Sequence, residues 1–308
     1  MSKFPAGKGF AFSVFDDTDS SVVANVSPVY QFLSKLGFRT TKSVWPLPTV
    51  RGGRIGGSTL QEPEYLAFVK ALQRDGFEIA LHNVRNHDAQ RDTIKQGIEE
   101  FQRLIGVPPR LHANHSYNRD NIYWGAARLS GTTSRLWNNA ATRFRRGHMF
   151  EGHLPASNYF WGDVCRENIT YVRNFVFDEI NLERIHSTLP YHDPSKPFVN
   201  YWFSSCEGGN VHKLCETLCT RNQERLEAEG GVCIVYTHFA AGFCEHGNLS
   251  PVFVELMRQL ATRNGWFVPV SELLDYLRRQ QANNVISRRE LAAIERHWLL
   301  HKLRVGHS

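Results

Sequence analysis

The chain is poor in the features that mark a membrane, secreted or nucleic-acid-binding protein. No run of 18 apolar residues occurs among its 308 positions, so no membrane-spanning helix is expected. The stretch Met1 to Gly9 lacks the apolar core of a secretory signal, and residues 10–15 are too few to supply one; the expected location is cytoplasmic. The six cysteines (Cys165, Cys206, Cys215, Cys219, Cys233 and Cys244) lie in the second half and form no CxxC pair. That argues against a zinc finger and for reduced thiols. There is no clear GxGxxG or GK[ST] phosphate loop, which weighs against an open dinucleotide-binding sheet. The glycine-rich segment Arg51 to Ser58 reads instead as a mobile loop over a site. Basic residues are spread out, apart from Arg143, Arg145, Arg146 and the C-terminal tail, so the net charge of +6 fits an anionic ligand or no particular partner, and not a nucleic acid. No internal repeat is evident.

What is present is an alternation of strand and helix signals. Strands are expected at 9–15, 39–45, 77–82, 109–113, 171–177, 198–204, 232–237 and 266–269. Helices are expected at 22–36, 62–74, 92–105, 118–129, 211–228, 251–263, 271–281 and 287–303. Pro63 suits the first turn of a helix, and Gly106 with Pro108 makes a helix stop. Seven or eight β-α repeats in a chain of this length predict a distorted (β/α) barrel with parallel strands. The expected division is a barrel over 1–283, with an irregular insertion at about 130–170, and a C-terminal helical tail over 284–308.

The most informative run is Phe12-Ser13-Val14-Phe15-Asp16-Asp17-Thr18-Asp19, an apolar strand ending in acid. Carboxylates crowded at a strand's C-terminal end repel one another, and a cation is the common remedy. Active sites of α/β folds are built at that end. The third strand runs into His82 and, five residues on, His87; the strand near 232–237 runs into His238. Residues five apart on a helix lie roughly 140° apart, so His82 and His87 converge only from a strand end and the loop after it. A barrel brings all these ends to one rim. An aspartate and two histidines with an open position suit catalytic zinc or a similar divalent ion.

In order and placement these motifs resemble those of the NodB-type polysaccharide deacetylases, the metal-dependent carbohydrate esterases. Phe15-Asp16-Asp17 resembles their first motif, His82…His87 their second, and Tyr236-Thr237-His238 their last. The resemblance implies a NodB-like barrel that removes an N-acyl group, acetyl above all, from a sugar, with zinc as metal. It implies that Asp17, His82 and His87 ligate the metal, that Asp16 is the general base, and that His238 is the general acid. The family's histidines stand four apart and here five, so His112 or His115 could substitute. Its third motif, an Arg followed by Pro and an aromatic residue, has only Arg110 as a loose counterpart. Aromatic residues Tyr123, Trp124, Trp137, Tyr159, Trp161 and Trp202 crowd the middle of the chain. Arg110, His115, Trp124 and Trp202 are the substrate-side candidates. The expected partner is a small molecule or glycan: a soluble sugar, a nucleotide-sugar or a lipid-linked precursor.

Two rival readings use the same residues. Asp17 and Asp19 also resemble the nucleophile and acid/base of the haloacid-dehalogenase-like phosphohydrolases. Those need magnesium and a later acidic pair, for which Gly162-Asp163…Glu167 is the available match. Alternatively, a deacetylase-like barrel with a degraded metal site binds a glycan without catalysis.

Overall fold

A computed structural model describes residues 3–131 and 150–305 of the chain. Seven parallel strands form a closed barrel: β1 (Phe10–Asp16), β2 (Thr41–Val44), β3 (Glu78–Leu81), β4 (Leu111–His112), β5 (Tyr171–Phe177), β6 (Tyr201–Cys206) and β7 (Val232–Thr237). Closure is the pairing of β1 with β7, in register from Ala11 opposite Val232 to Asp16 opposite Thr237. Every residue of β1 is buried, as a strand covered on both faces requires. The short strands β8 (Cys244–Glu245) and β9 (Asn248–Leu249) make a hairpin, and β10 (Gly265–Phe267) adds to β1 beside β2.

Helices follow the strands: α1 (Val23–Lys35), α2 (Pro63–Arg74), α3 (Arg91–Ile105), α4 (Gly162–Asn168), α5 (Val211–Thr217), α6 (Thr220–Glu229), α7 (Pro251–Ala261), α8 (Val270–Gln280) and α9 (Arg288–Val305). The buried positions of α3, Ile94, Ile98, Phe101 and Ile105, form one stripe at helical spacing, and Gly106 ends it in the left-handed conformation at φ 87°. Phe12, Phe38 and Phe267 pack together near the N-terminal end of β1, with ring centroids 4.4–6.3 Å apart. The C-terminal helix lies on the barrel, with the Trp298 ring 5.4 Å from that of Phe175 in β5. Among the described residues no helix is long and apolar enough to cross a membrane.

The helix expected at 118–129 is not formed; only a 3-10 turn, Gly125–Arg128, stands there. Asparagine side chains take the backbone groups a helix would use. Asn114 bonds both the N–H and the carbonyl of Ile122, at 3.0 Å each, and Asn121 Nδ2 donates to the carbonyl of His115 at 2.5 Å. The helix expected over 211–228 is two, α5 and α6. Asn222 Nδ2 donates to the carbonyl of Thr217 and Gln223 Nε2 to that of Leu218, at 3.0 and 2.8 Å, across the break. Cys215 and Cys219 therefore do not share a helix. The insertion expected at about 130–170 contains α4 at its end; Trp137, Arg143, Arg145 and Arg146 lie outside the described residues.

Candidate metal centre and its surroundings

The site forms where β1, β3, β4, β5 and β7 open at their C-terminal ends. Alternation along β1 sends neighbouring aspartates opposite ways. Asp16 faces the helix layer and is fully buried. Its Oδ2 accepts from the Tyr30 hydroxyl at 2.8 Å and lies 2.9 Å from Lys42 Nζ, while its Oδ1 accepts the Phe239 N–H at 2.8 Å. Both oxygens are thus committed to holding α1, β2 and the start of the post-β7 loop together. Asp16 does not line the cavity that Asp17 and Asp19 line, unlike the placement expected of it as a general base.

Asp17 faces the barrel mouth. Its two oxygens accept from Arg173 Nη1 and Nη2 at 2.8 and 2.5 Å. Arg173 comes from β5, just before a register shift in the β5–β6 pairing. Its guanidinium sits between the rings of Phe15 and Tyr236, 5.0 and 4.8 Å from their centres. Burial opposes ionisation of Asp17, but the charge and hydrogen bonds of Arg173 above all outweigh it and hold the carboxyl below the usual carboxylate range.

Asp19 lies two residues further, past the end of the strand. Its Oδ1 is 3.3 Å from Nε2 of His82 and 3.5 Å from Nε2 of His115. One ligand atom from each of these three residues lies within 4.8 Å of the other two. All three atoms, Asp19 Oδ1 and both Nε2, are buried without a hydrogen-bond partner. The remaining ring nitrogens are engaged: His82 Nδ1 bonds the carbonyl of Ala113 at 3.1 Å, and His115 Nδ1 bonds Asn118 Oδ1 at 2.9 Å. With the Nδ1 protons given to those oxygens, both Nε2 lone pairs point at a carboxylate oxygen. Three electron-rich atoms facing one another at a buried site are unfavourable unless a cation sits among them. The set therefore fits a divalent ion held by one carboxylate and two imidazoles.

His115 stands in this group and His87 does not. The side chain of His87 is exposed on the loop after β3. Its contribution is a backbone carbonyl that accepts from Asn118 Nδ2 at 3.0 Å, and Asn118 in turn orients His115. A second asparagine fixes the same segment. Asn83, in the left-handed conformation at φ 50°, accepts the His115 N–H at 2.7 Å and donates to Asp120 at 2.6 Å. His112 points away, its Nε2 3.2 Å from Asn114 Oδ1 and its ring against Trp161; burial first of all pulls its pKa down to about 3.

His238 directly follows β7. Its Nδ1 donates to the carbonyl of Gly209 at 2.7 Å, and its Nε2 faces Asp19 at 3.5 Å and Asp17 at 3.9 Å. Burial alone would lower its pKa, but the bond to Asp19 and the charges of Asp17 and Asp19 raise it to about 9. These residues line a cavity of about 180 Å³ that also takes in Trp124, Arg128, Trp298 and Lys302.

This fold is shared with known structures. The chain aligns over 93% of its length with 96% of a protein assigned as a polysaccharide deacetylase from Mycobacterium smegmatis, at 12% identity and a TM-score of 0.53. It aligns over 90% of its length with 94% of a protein of the same assignment from Pseudomonas aeruginosa, again at 12% identity and a TM-score of 0.53. The fold is that of the polysaccharide deacetylases. No sequence-family model and no curated protein sequence matches the chain.

Within this deacetylase fold the other expected residues fall as follows. Trp124 lines the cavity. Trp202 is 1% exposed within β6, its ring 6.1 Å from that of Tyr123, and is part of the core. Arg110 precedes β4, at the opposite end of the barrel, where it pairs with Asp275 at 2.8 Å and bonds Ser271 at 3.2 Å; it does not serve the cavity. The glycine-rich segment is fastened beside the site. Gly56 accepts the Ser20 N–H at 2.7 Å, and Asn86 bonds Val50 and Ile55 at 3.0 Å each. Asp163 opens α4 and pairs with Arg91 on the surface at 2.7 Å, so the acidic pair needed for a phosphohydrolase does not meet Asp17. Arg173 and the ligand position of Asp19 are among what the sequence reading missed, and Arg173 had a signal. Its signal is a lone charge inside the otherwise uncharged, largely apolar strand Tyr171–Phe177.

Proposed function

We propose that the protein is a metal-dependent hydrolase that removes an acyl group, acetyl above all, from the nitrogen of an amino sugar. The observation that carries this reading is the convergence of three partnerless ligand atoms, from Asp19, His82 and His115, beside an arginine-held aspartate and a strand-end histidine. The assignment of known proteins with this fold as polysaccharide deacetylases supports the sugar amide as substrate. We assign Asp19, His82 and His115 as ligands of a divalent ion, with zinc favoured by the carboxylate and imidazole donors.

When bound, such an ion acidifies water and polarises a carbonyl oxygen. Asp17, ionised and held in one orientation by Arg173, takes the proton from the attacking water. His238, whose Nε2 opens on the cavity, carries a proton and delivers it to the leaving nitrogen. Its Nδ1 bond to the carbonyl of Gly209 fixes the orientation of the ring. Asp16 serves the scaffold. Relative to the roles that the motif resemblance implied, the base moves one residue along the chain, from Asp16 to Asp17, and the carboxylate ligand two, from Asp17 to Asp19.

Metal analysis of purified protein, with amide hydrolysis of N-acetylated chito-oligosaccharides followed before and after chelation, tests the proposal. The expected result is one divalent ion per chain and hydrolysis that chelation stops and metal restores. A chain that binds no ion, or that carries its ion and cleaves no N-acetyl sugar, would return the molecule to the reading of a glycan-binding barrel.

A further inference from the structure

Three cations, Arg128, Arg173 and Lys302, line the cavity, and among the described residues no carboxylate pairs with Arg128. Arg128, at the end of the 3-10 turn Gly125–Arg128, is 7% exposed and lines the same cavity as Asp17, Asp19 and His238. Its guanidinium lies 3.5 Å from the centre of the Trp124 ring, 5.2 Å from Trp298 and 5.8 Å from Phe175. Its Nε and Nη2 are buried without a hydrogen-bond partner. Among the described residues the ionisable groups coupled to it are Arg173, Tyr191 and Lys302, none of them a carboxylate, while Lys302 is itself drawn to Glu207. The residues outside the described ones, 1–2, 132–149 and 306–308, include no Asp or Glu. A second cation, Lys302 of α9, lines the same cavity.

A buried guanidinium without a counter-ion is costly, and the aromatic faces around it only partly offset that cost. Burial and then the charge of Arg173 pull its pKa down to about 9, so it remains a cation at neutral pH. Nor do the acids of the cavity answer it. Asp17 is taken by Arg173, and Asp19 faces His82, His115 and His238. The charge of Arg128 is therefore left for something that enters.

We propose that Arg128 and Lys302 form an anion subsite that receives an oxyanion of the substrate, a carboxylate or a phosphate, a few ångströms from the reacting amide. The planar fork of an arginine matches either group with paired hydrogen bonds. This inference deepens the reading of the site as an amidohydrolase of amino sugars and names the substrate class: acidic N-acyl sugars, either uronic acids or sugar phosphates.

Two measurements separate this proposal from the reading it rests on. The first needs no turnover. Inorganic phosphate and acetate are titrated calorimetrically into chelator-treated full-length protein, wild type, Arg128→Met and Lys302→Met. Saturable binding of at least one anion is expected in the wild type, weakened roughly 10- to 100-fold in Arg128→Met and less in Lys302→Met. No saturable binding, or equal binding by the wild type and a folded Arg128→Met, overturns the subsite; if Arg128→Met does not fold, equal binding by Lys302→Met does so. The second compares kcat/KM of the metal-loaded enzyme for N-acetylglucosamine, its 6-phosphate and its C6 uronic acid, which differ only at C6. Preference for one of the acidic sugars, lost in Arg128→Met, identifies the anion. Equal rates on all three overturn the subsite and leave the hydrolase standing. Anion binding that depends on Arg128, with no cleavage of any sugar, leaves the subsite standing and overturns the hydrolase.

Discussion

Arg173 holds both carboxylate oxygens of Asp17, and neither side chain is more than 6% exposed. A carboxylate gripped by a planar fork cannot turn to chelate an ion and keep both bonds. On the proposed reading Asp17 serves proton transfer and not metal binding, and a substitution can check it. Asp17→Asn keeps the shape and removes the base. It is expected to lower kcat by about 10²- to 10⁴-fold with the metal content unchanged. Arg173→Met strands a buried carboxylate and is expected to cost about 3–5 kcal/mol of stability, whereas Arg173→Lys keeps the charge and loses the fork. Steady-state kinetics, metal stoichiometry and urea denaturation read the three effects. If Asp17→Asn instead loses its metal, Asp17 is a ligand and the assignment fails.

The choice between His115 and His87 is decided by metal content. Asp19→Asn, His82→Gln and His115→Gln each remove one of the three converging atoms. Each is expected to lower metal affinity strongly and to abolish hydrolysis that depends on the metal. His87→Gln alters an exposed side chain and leaves in place the backbone carbonyl that Asn118 uses, so it is expected to bind metal like the wild type. Equilibrium dialysis against zinc measures all four. Loss of metal in His87→Gln with retention in His115→Gln would reverse the assignment.

The barrel was legible because strands buried on both faces, helix stops and strand-end acids are local features. Asp17, His82 and His238 could be placed at one rim on that basis. The face that each aspartate takes was not legible. Both faces of β1 are buried, so burial pattern alone does not say that Asp16 meets Lys42 and Asp17 meets Arg173. His115 was visible only as a possible substitute. Its place follows from the β3–β4 register, Leu81 opposite His112, which brings the segment after β4 alongside His82. It follows also from the reach of Asn83 to the His115 N–H. Spacing along the chain carries neither piece of information. Arg128 could not be found at all without coordinates, since its meaning lies in what does not surround it.

Asp120 links the support of the metal centre to pH. It is fully buried and accepts from Asn83 Nδ2 at 2.6 Å and from the Ala89 N–H at 3.0 Å. Burial dominates and raises its pKa from 3.8 to about 6. A folded-state value above the unfolded one means that the native protein binds the proton more tightly. The stabilisation is complete below about pH 4 and is lost as pH rises through 6. A shift of about two units corresponds to roughly 3 kcal/mol. In chelated samples, the stability of wild type relative to Asp120→Asn is expected to fall by that order between pH 4 and pH 7. A difference that stays constant across this range would show that Asp120 does not titrate there.

The C-terminal helix is a wall of the barrel's cavity, and its two faces should respond differently to truncation. Trp298 is 3% exposed, lies 5.4 Å from Phe175 and reaches the cavity. Its ring packs on Phe175 of β5 and flanks the Arg128 guanidinium at 5.2 Å. Leu300, two residues on, is 56% exposed. Trp298→Ala removes a large buried ring and is expected to cost about 3–5 kcal/mol, while Leu300→Ala is expected to stay within about 0.5 kcal/mol. Glu295, also fully buried, fastens the same helix through Ser130, whose N–H and hydroxyl it accepts at 2.8 and 3.0 Å. Denaturant titrations of the two alanine variants provide the check. Should Trp298→Ala melt like Leu300→Ala, α9 is a detachable appendage, and its residues cannot shape what the cavity binds.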